Sequence, residues 1–298
     1  MTAHVSKAKL IAAFAAIYFI WGSTYLFIKF AIESVPPFMV GASRFWVAAV
    51  ILYVWGRLSS RVKPEARHWR EGLILGVFLL GVGNGCVVWS QQRVASGIAA
   101  LIVAIVPLLV VLIEWLRPGG KRPSTAAIIG VLIGLGGIAL LIGPSAFLGA
   151  GDIDPLASLV LLAGSLSWSA ATVFAKRASV PASPPLASAI QLVGGALSLT
   201  VVSALAGEFG QVELSEIPLK ATLSIAYLII FGSVIAFSAY SWLMRVASPT
   251  KISTYAYVNP IVAMLLGWAV ADEEMSVRVL VAAAIVLAGV MLITRKRE

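Results

Sequence analysis

The sequence predicts an all-α membrane protein, with ten transmembrane helices arranged as two inverted five-helix repeats. Three observations lead there. Of 298 residues, 60% are hydrophobic and 12% charged, and the mean hydropathy is +0.98; a soluble domain of this length needs far more polar surface. Ten apolar runs, each near the roughly 20 residues that cross a hydrocarbon core, occupy about 9–30, 37–56, 72–92, 97–116, 125–143, 156–176, 186–206, 221–244, 251–270 and 277–294. Finally, one stretch occurs twice. Arg93 to Trp115 reads RVASGIAALIVAIVPLLVVLIEW, and Arg245 to Trp268 reads RVASPTKISTYAYVNPIVAMLLGW. With one gap at Pro249, Arg93 falls on Arg245, Pro107 on Pro260 and Trp115 on Trp268. Trp21, Phe27 and Lys29 likewise fall on Trp168, Phe174 and Lys176, and Pro36-Pro37 on Pro184-Pro185.

The runs use nearly the whole chain and leave no room for a soluble catalytic domain. The first is too long, and too plainly one of a series, to be a cleaved signal peptide. Cys86 is the single cysteine and lies inside the third run, which excludes an internal disulfide. With the N-terminus inside, cytoplasmic segments hold 17 of the 22 Lys and Arg residues. The outer side collects acids instead: Asp152, Asp154, Glu208, Glu213, Glu216 and Asp272 to Glu274. Both termini are therefore expected in the cytoplasm. The same distribution spreads the net charge of +9 over short turns, where no nucleic-acid face forms. Five spans per half make the second half begin outside and run upside down, the plan of secondary transporters.

In span 1, Trp21 and Tyr25 share a face near the midplane, with Gly22 allowing close helix approach. Lys29 extends that face outward. It is either a cation for a substrate carboxylate or a lysine reaching the interface and paired with Glu33. Arg44 sits about two turns inside span 2 and needs an acceptor, either backbone carbonyls or an anionic ligand. These two are the candidate anion contacts.

The segments FIWGSTYLFIKFAIESVPPFMVGASRF, LSWSAATVFAKRASVPASPPLASAIQLVGGAL and YVNPIVAMLLGWAVADEEMSVRVLVAAAIVLAGVML resemble both repeats of the drug/metabolite transporter superfamily, in its ten-helix EamA-type branch. The resemblance covers nearly the entire chain, with a first EamA-type repeat at 1–145 and a second, inverted one at 150–298. It implies a bacterial inner-membrane exporter of small metabolites, most similar to the aromatic amino acid exporters. Second halves of this kind carry an acid before the last helix, here Glu273-Glu274. The corresponding first-half turn, Gly119-Gly120-Lys121-Arg122, does not, and no function is read into that.

Span 3 is glycine-rich around Asn84, whose amide either binds substrate or ties two helices together. Pro107 and Pro260 each delete a backbone hydrogen bond at corresponding depths of spans 4 and 9, as hinges or as walls of a central site. Span 9 is the more polar copy, with Ser253, Thr254, Tyr255, Tyr257 and Asn259 where span 4 has Ala100, Leu101, Ile102, Ala104 and Val106. Trp168 in span 6 repeats Trp21. Spans 5 and 10 are small-residue seams with almost no polar side chain, between the halves or between protomers.

The expected substrate-binding set is Trp21, Tyr25, Asn84, Trp168, Tyr255, Tyr257 and Asn259: aromatic walls with amides, suited to an amphiphile with an apolar body and a polar head. No catalytic residue, cofactor or metal is expected. His4 and His68 lie outside the spans, and the acids within spans or at their ends are Glu33 and Glu114, the latter read as a surface pair with Arg117. Nucleotide-hydrolysis and protease motifs are absent. The small multidrug pumps of the superfamily depend on a membrane-embedded glutamate in helix 1, and this first helix has none at its midplane. The expected function is export of small amphiphilic metabolites, amino acids including aromatic ones, by alternating access. The expected partners are the lipid bilayer and a small-molecule substrate, with no nucleic acid and the chain acting as a monomer. The alternatives are a nucleotide-sugar or phosphometabolite carrier, a broad drug exporter, or a membrane-bound lipid-modifying enzyme, for which His68 with Glu71 is the sole candidate.

Overall fold

The computed structural model describes residues 6–120, 122–142, 153–247, 249–252 and 254–294, and among these there is no strand. Eight helices are long and apolar enough to cross a membrane: α1 (Lys7–Ile32), α2 (Pro37–Ser59), α3 (Ala66–Ser90), α4 (Ser96–Leu116), α5 (Thr125–Ile142), α6 (Pro155–Ala175), α7 (Pro184–Leu205) and α8 (Leu219–Val246). Two further apolar helices are shorter, α9 (Tyr255–Ala271) and α10 (Val277–Thr294). Of the charges used for orientation, Lys121, Asp152 and residues 295–297 lie outside the described residues, as does Ser253.

Proline opens α2, α6 and α7 at their first helical turn, where its missing N–H costs nothing and its fixed φ suits the helix. Helix α3 begins earlier than its apolar run. A capping box holds its first turn, with the Glu65 side chain on a backbone N–H and His68 Nδ1 accepting Glu65 N–H at 3.0 Å. This brings Glu71 into the helix, a buried acid beyond the expected Glu33 and Glu114.

Helix α2 lies along α7, and α5 along α10. Helix α4 packs on α6 and α9, and α9 also on α1; α3 packs on α6 and α7, and α8 on α1 and α2. The small-residue seam of α5 and α10 is thus internal to the chain. A Cβ at Gly289 would stand 2.6 Å from the Gly130 carbonyl oxygen, so the two backbones touch there.

Three helices widen to π-helical bonding: α1 at Ala16–Ile20, α3 at Val77–Asn84 and α8 at Leu228–Ala236. Helix α4 is broken ahead of its proline, where Ala104 N–H reaches Leu101 O at 3.2 Å and Ile105 N–H reaches Ile102 O at 3.2 Å. Pro107 lies in the first turn of the piece that follows, Val106–Leu116. The expected interruption at Pro260 is not seen. Helix α9 runs through it, and the break comes earlier, at Thr254, after a short helical turn at Pro249–Ile252. Asn259 holds the backbone of this stretch and of α1 beside it. In the orientation that satisfies its amide it donates to Tyr255 O at 3.2 Å, bracing the turn before the proline. It also donates to Tyr18 O at 2.8 Å and Ile17 O at 3.1 Å in the wide turn of α1.

Candidate functional site

The helices enclose a central cavity, and it is the wide turns that shape it. Leu80, Gly83 and Asn84 reach it from the π stretch of α3, and Gly232 and Ser233 from that of α8. Trp21, the first residue after the α1 stretch, sits at its aromatic end. Its ring lies 5.7 Å from Trp168 and 5.4 Å from Tyr255, both edge to face, and 5.0 Å from Tyr240. Its Nε1–H donates to Gly232 O at 3.3 Å, which fixes the indole. Edge-to-face contacts of this kind hold rings in one orientation and leave their remaining faces for an apolar guest.

Of the expected binding residues, Trp21, Tyr25, Asn84, Trp168, Tyr255 and Asn259 line this one cavity, together with Arg44. The Tyr257 side chain lies outside the described residues. Neither Pro107 nor Pro260 faces the cavity, but Val106 and Asn259, immediately before them, do. Asn259 edges it while its NH2 is engaged with backbone carbonyls. Thr24, Phe45, Ser165 and Phe237, outside the expected binding set, also line the cavity, and Tyr240, packed against Trp21, shares a 2.9 Å hydrogen bond through its buried hydroxyl with Thr172. An aromatic one turn beyond Phe237 in α8 was the available signal for Tyr240.

Arg44 is 4% exposed. One Nη2–H donates to Asn84 Oδ1, so Asn84 both lines the cavity and ties α3 to α2. The Arg44 guanidinium carbon lies 4.5 Å over the Phe45 ring.

Lys29 is elsewhere. It is paired with neither a carboxylate-free cavity nor Glu33: its Nζ lies 2.9 Å from Glu273 Oε1, while Glu33 takes Lys220 at 2.7 Å. Glu273 also accepts Ser96 N–H at 2.7 Å, Ser96 Oγ–H at 2.9 Å and Gly97 N–H at 3.2 Å, capping the start of α4 from the far end of α9. Asp272 adopts φ 51°, a left-handed conformation that aspartate tolerates, and Glu273 N–H folds back to Gly267 O at 3.1 Å. Burial pushes the Glu273 carboxyl up, but the Ser96 and Gly97 N–H groups and Lys29 outweigh it and hold it below its ordinary value. The repeat-related Lys176 meets Glu114 at 2.6 Å, in place of the expected pairing of Glu114 with Arg117.

His68 and Glu71 are both committed to structure. Glu71 takes Arg67 at 2.8 Å and Arg70 at 3.5 Å and accepts the Ser179 N–H. Among the described residues, no cluster of His, Cys, Asp or Glu could hold a metal ion.

A bundle of apolar helices around an interior cavity of aromatic walls and one arginine defines a polytopic membrane protein. Comparison with known proteins names the group: the chain belongs to the EamA-like transporter family, whose sequence pattern matches residues 8–143 and again 155–295. It is 37% identical to YedA of Escherichia coli K12, named an uncharacterized inner membrane transporter, over 96% of this chain and 90% of that one. It is 24% identical to the uncharacterized transporter YoaV of Bacillus subtilis, over 96% and 97%. The PecM protein of Dickeya dadantii is also 24% identical, over 92% and 88%. A solved crystal structure shares the fold at a TM-score of 0.66, with 22% identity and 96% of each chain covered.

Proposed function

We propose that this transporter exports small amphiphilic metabolites, amino acids including aromatic ones, by alternating access across the inner membrane. The observation that carries the reading is the cavity itself, where residues from both halves of the chain join an aromatic wall to a single cationic pole. Trp21, Tyr25, Trp168 and Tyr255 hold the apolar body, and Asn84, Asn259 and Arg44 serve the polar end. Lys29 is held by Glu273 and fastens α1 to the start of α4.

Alternating access needs two related halves, and several features favour ten membrane helices in two inverted repeats, 1–145 and 150–298. The family pattern occurs twice. Exchanging the halves leaves the packing unchanged: α4 on α6 becomes α9 on α1, α3 on α6 becomes α8 on α1, and α3 on α7 becomes α8 on α2. The basic bias puts both termini in the cytoplasm, and the name of the YedA relative supports the inner membrane. The break in α4 ahead of Pro107 is the hinge, Pro260 lying within a continuous helix, and the chain works as a monomer in the bilayer.

Flux from liposomes holding the purified full chain tests this against phenylalanine, leucine, sugar phosphates and quaternary amines. Phenylalanine and leucine should be carried. Sugar-phosphate flux without amino acid flux would instead establish the phosphometabolite alternative, which Lys29, committed to Glu273, does not favour. Trp168→Ala should weaken phenylalanine handling by about 1–3 kcal/mol and small polar substrates less.

A further inference from the structure

We infer that the cavity recognises the carboxylate of its ligand and makes no demand on an ammonium group, so that aryl-alkyl monocarboxylates without an amino group are bound as well as the matching amino acids. This deepens the transport reading above and rests on the cavity being its site.

Arg44 is the one charged residue in the lining, and no Asp or Glu stands there among the described residues. The ion pairs among those residues do not include it. Its Nε is buried and has no hydrogen-bond partner, while one Nη2–H is given to Asn84 Oδ1. A guanidinium taken out of water without a counter-ion is costly, in protein or in membrane. A ligand anion would remove that cost.

The chemistry of the pole narrows which anion. Arg44 offers only N–H donors, and Asn84, whose oxygen faces the guanidinium, adds the two donors of its NH2 beside them. Two adjacent donor groups match the two oxygens of a planar carboxylate. A doubly charged phosphate would call for a second cation, and the nearest candidate from the sequence, Lys29, is neutralised by Glu273. An ammonium finds no carboxylate among the described lining residues, only neutral acceptors such as hydroxyls and the Asn259 amide oxygen, which are weaker partners than a counter-ion. An amine without a carboxylate would face the repulsion of Arg44 with no counter-ion among the described lining residues to offset it.

The test is ligand-induced stabilisation of the full chain in detergent, read as the shift in unfolding midpoint over a titration. The probes are 3-phenylpropanoate, L-phenylalanine and phenethylamine. The two carboxylates should bind with similar affinity and phenethylamine should not. Arg44→Gln should weaken both carboxylates by roughly tenfold or more. Should that variant not fold, Asn84→Asp supplies an internal partner for Arg44 and should remove carboxylate binding from a folded protein. Phenylalanine binding without 3-phenylpropanoate, phenethylamine binding as tightly as either, or carboxylate binding undiminished in Asn84→Asp would each overturn the inference and leave the carrier reading standing. Binding of none of the three overturns both.

Discussion

Lys29 and Lys176 occupy corresponding places in the two halves, yet they are held in different ways. Lys29 meets a carboxylate that is 7% exposed and already bound to two backbone N–H groups and a hydroxyl of α4. Lys176 meets Glu114 where both side chains are open to solvent, 39% and 31% exposed, with no further partner on the acid among the described residues. The acids also have different origins. Glu273 follows α9, whereas the equivalent turn after α4 carries Gly119-Gly120, and Glu114 stands inside the helix instead. The Lys29 pair belongs to a network of several bonds held away from water, whereas the Lys176 pair is a single screened contact. Duplication supplied the lysines; divergence decided which became structural.

The largest expected effect is at Glu273. Glu273→Ala strips four hydrogen bonds from α1 and α4 and should cost about 2–4 kcal/mol, seen as a lower unfolding midpoint in detergent. Gly267→Ala should act in the same direction, because its Cβ would collide with Glu273 Oε2.

The next contrast is kinetic. Pro107→Ala supplies a donor that can close the break in α4, and should slow flux in liposomes by about tenfold. Pro260→Ala lies in a helix that is already continuous and should change flux by less than about twofold. Equal slowing would mean that the break in α4 is not what moves.

Acid should act through Glu273 as well. Its folded carboxyl is held below the ordinary value, so its contribution is present above that value and lost as pH falls through the lowered one. The unfolding midpoint of the natural chain should therefore drop across that acid window more steeply than that of Glu273→Gln. Parallel curves would show that the carboxylate carries no linkage. Smallest of all, Lys176→Ala should stay within about 0.5 kcal/mol of the parent, as exposed pairs do. A loss matching that of Glu273→Ala would abolish the distinction between the two pairs.

That the chain is a bundle of apolar helices was legible, because run length and hydropathy are local properties. So was the gathering of Trp21, Trp168 and Tyr255, since aromatic positions related by an internal repeat return to related places. The partner of Lys29 was not legible. Glu273 lies 244 residues away, and Glu33 is the nearer and more obvious choice. The role of Asn259 in bracing carbonyls depends on a π stretch of α1 that no spacing of apolar residues betrays. Each such stretch also turns the side chains beyond it by about 100° from where regular helical spacing would put them. That is why the places of Gly232, Ser233 and Phe237 in the lining follow from the fold and not from regular helical spacing.

Arg44 also bears on how the protein is made. Helix α2 enters the membrane carrying a charge that costs about 2.5–3.5 kcal/mol at mid-helix during insertion. The surface it lies along belongs to α7, which a ribosome working at about 5–20 residues per second delivers roughly 7–30 seconds later. Asn84, only 40 residues downstream, arrives far sooner. The bond between them therefore gives the nascent second helix an early companion within its own half, before the other half has been synthesised. A residue suited to catching cargo in the finished protein is, during biogenesis, the reason the third helix must follow the second without delay.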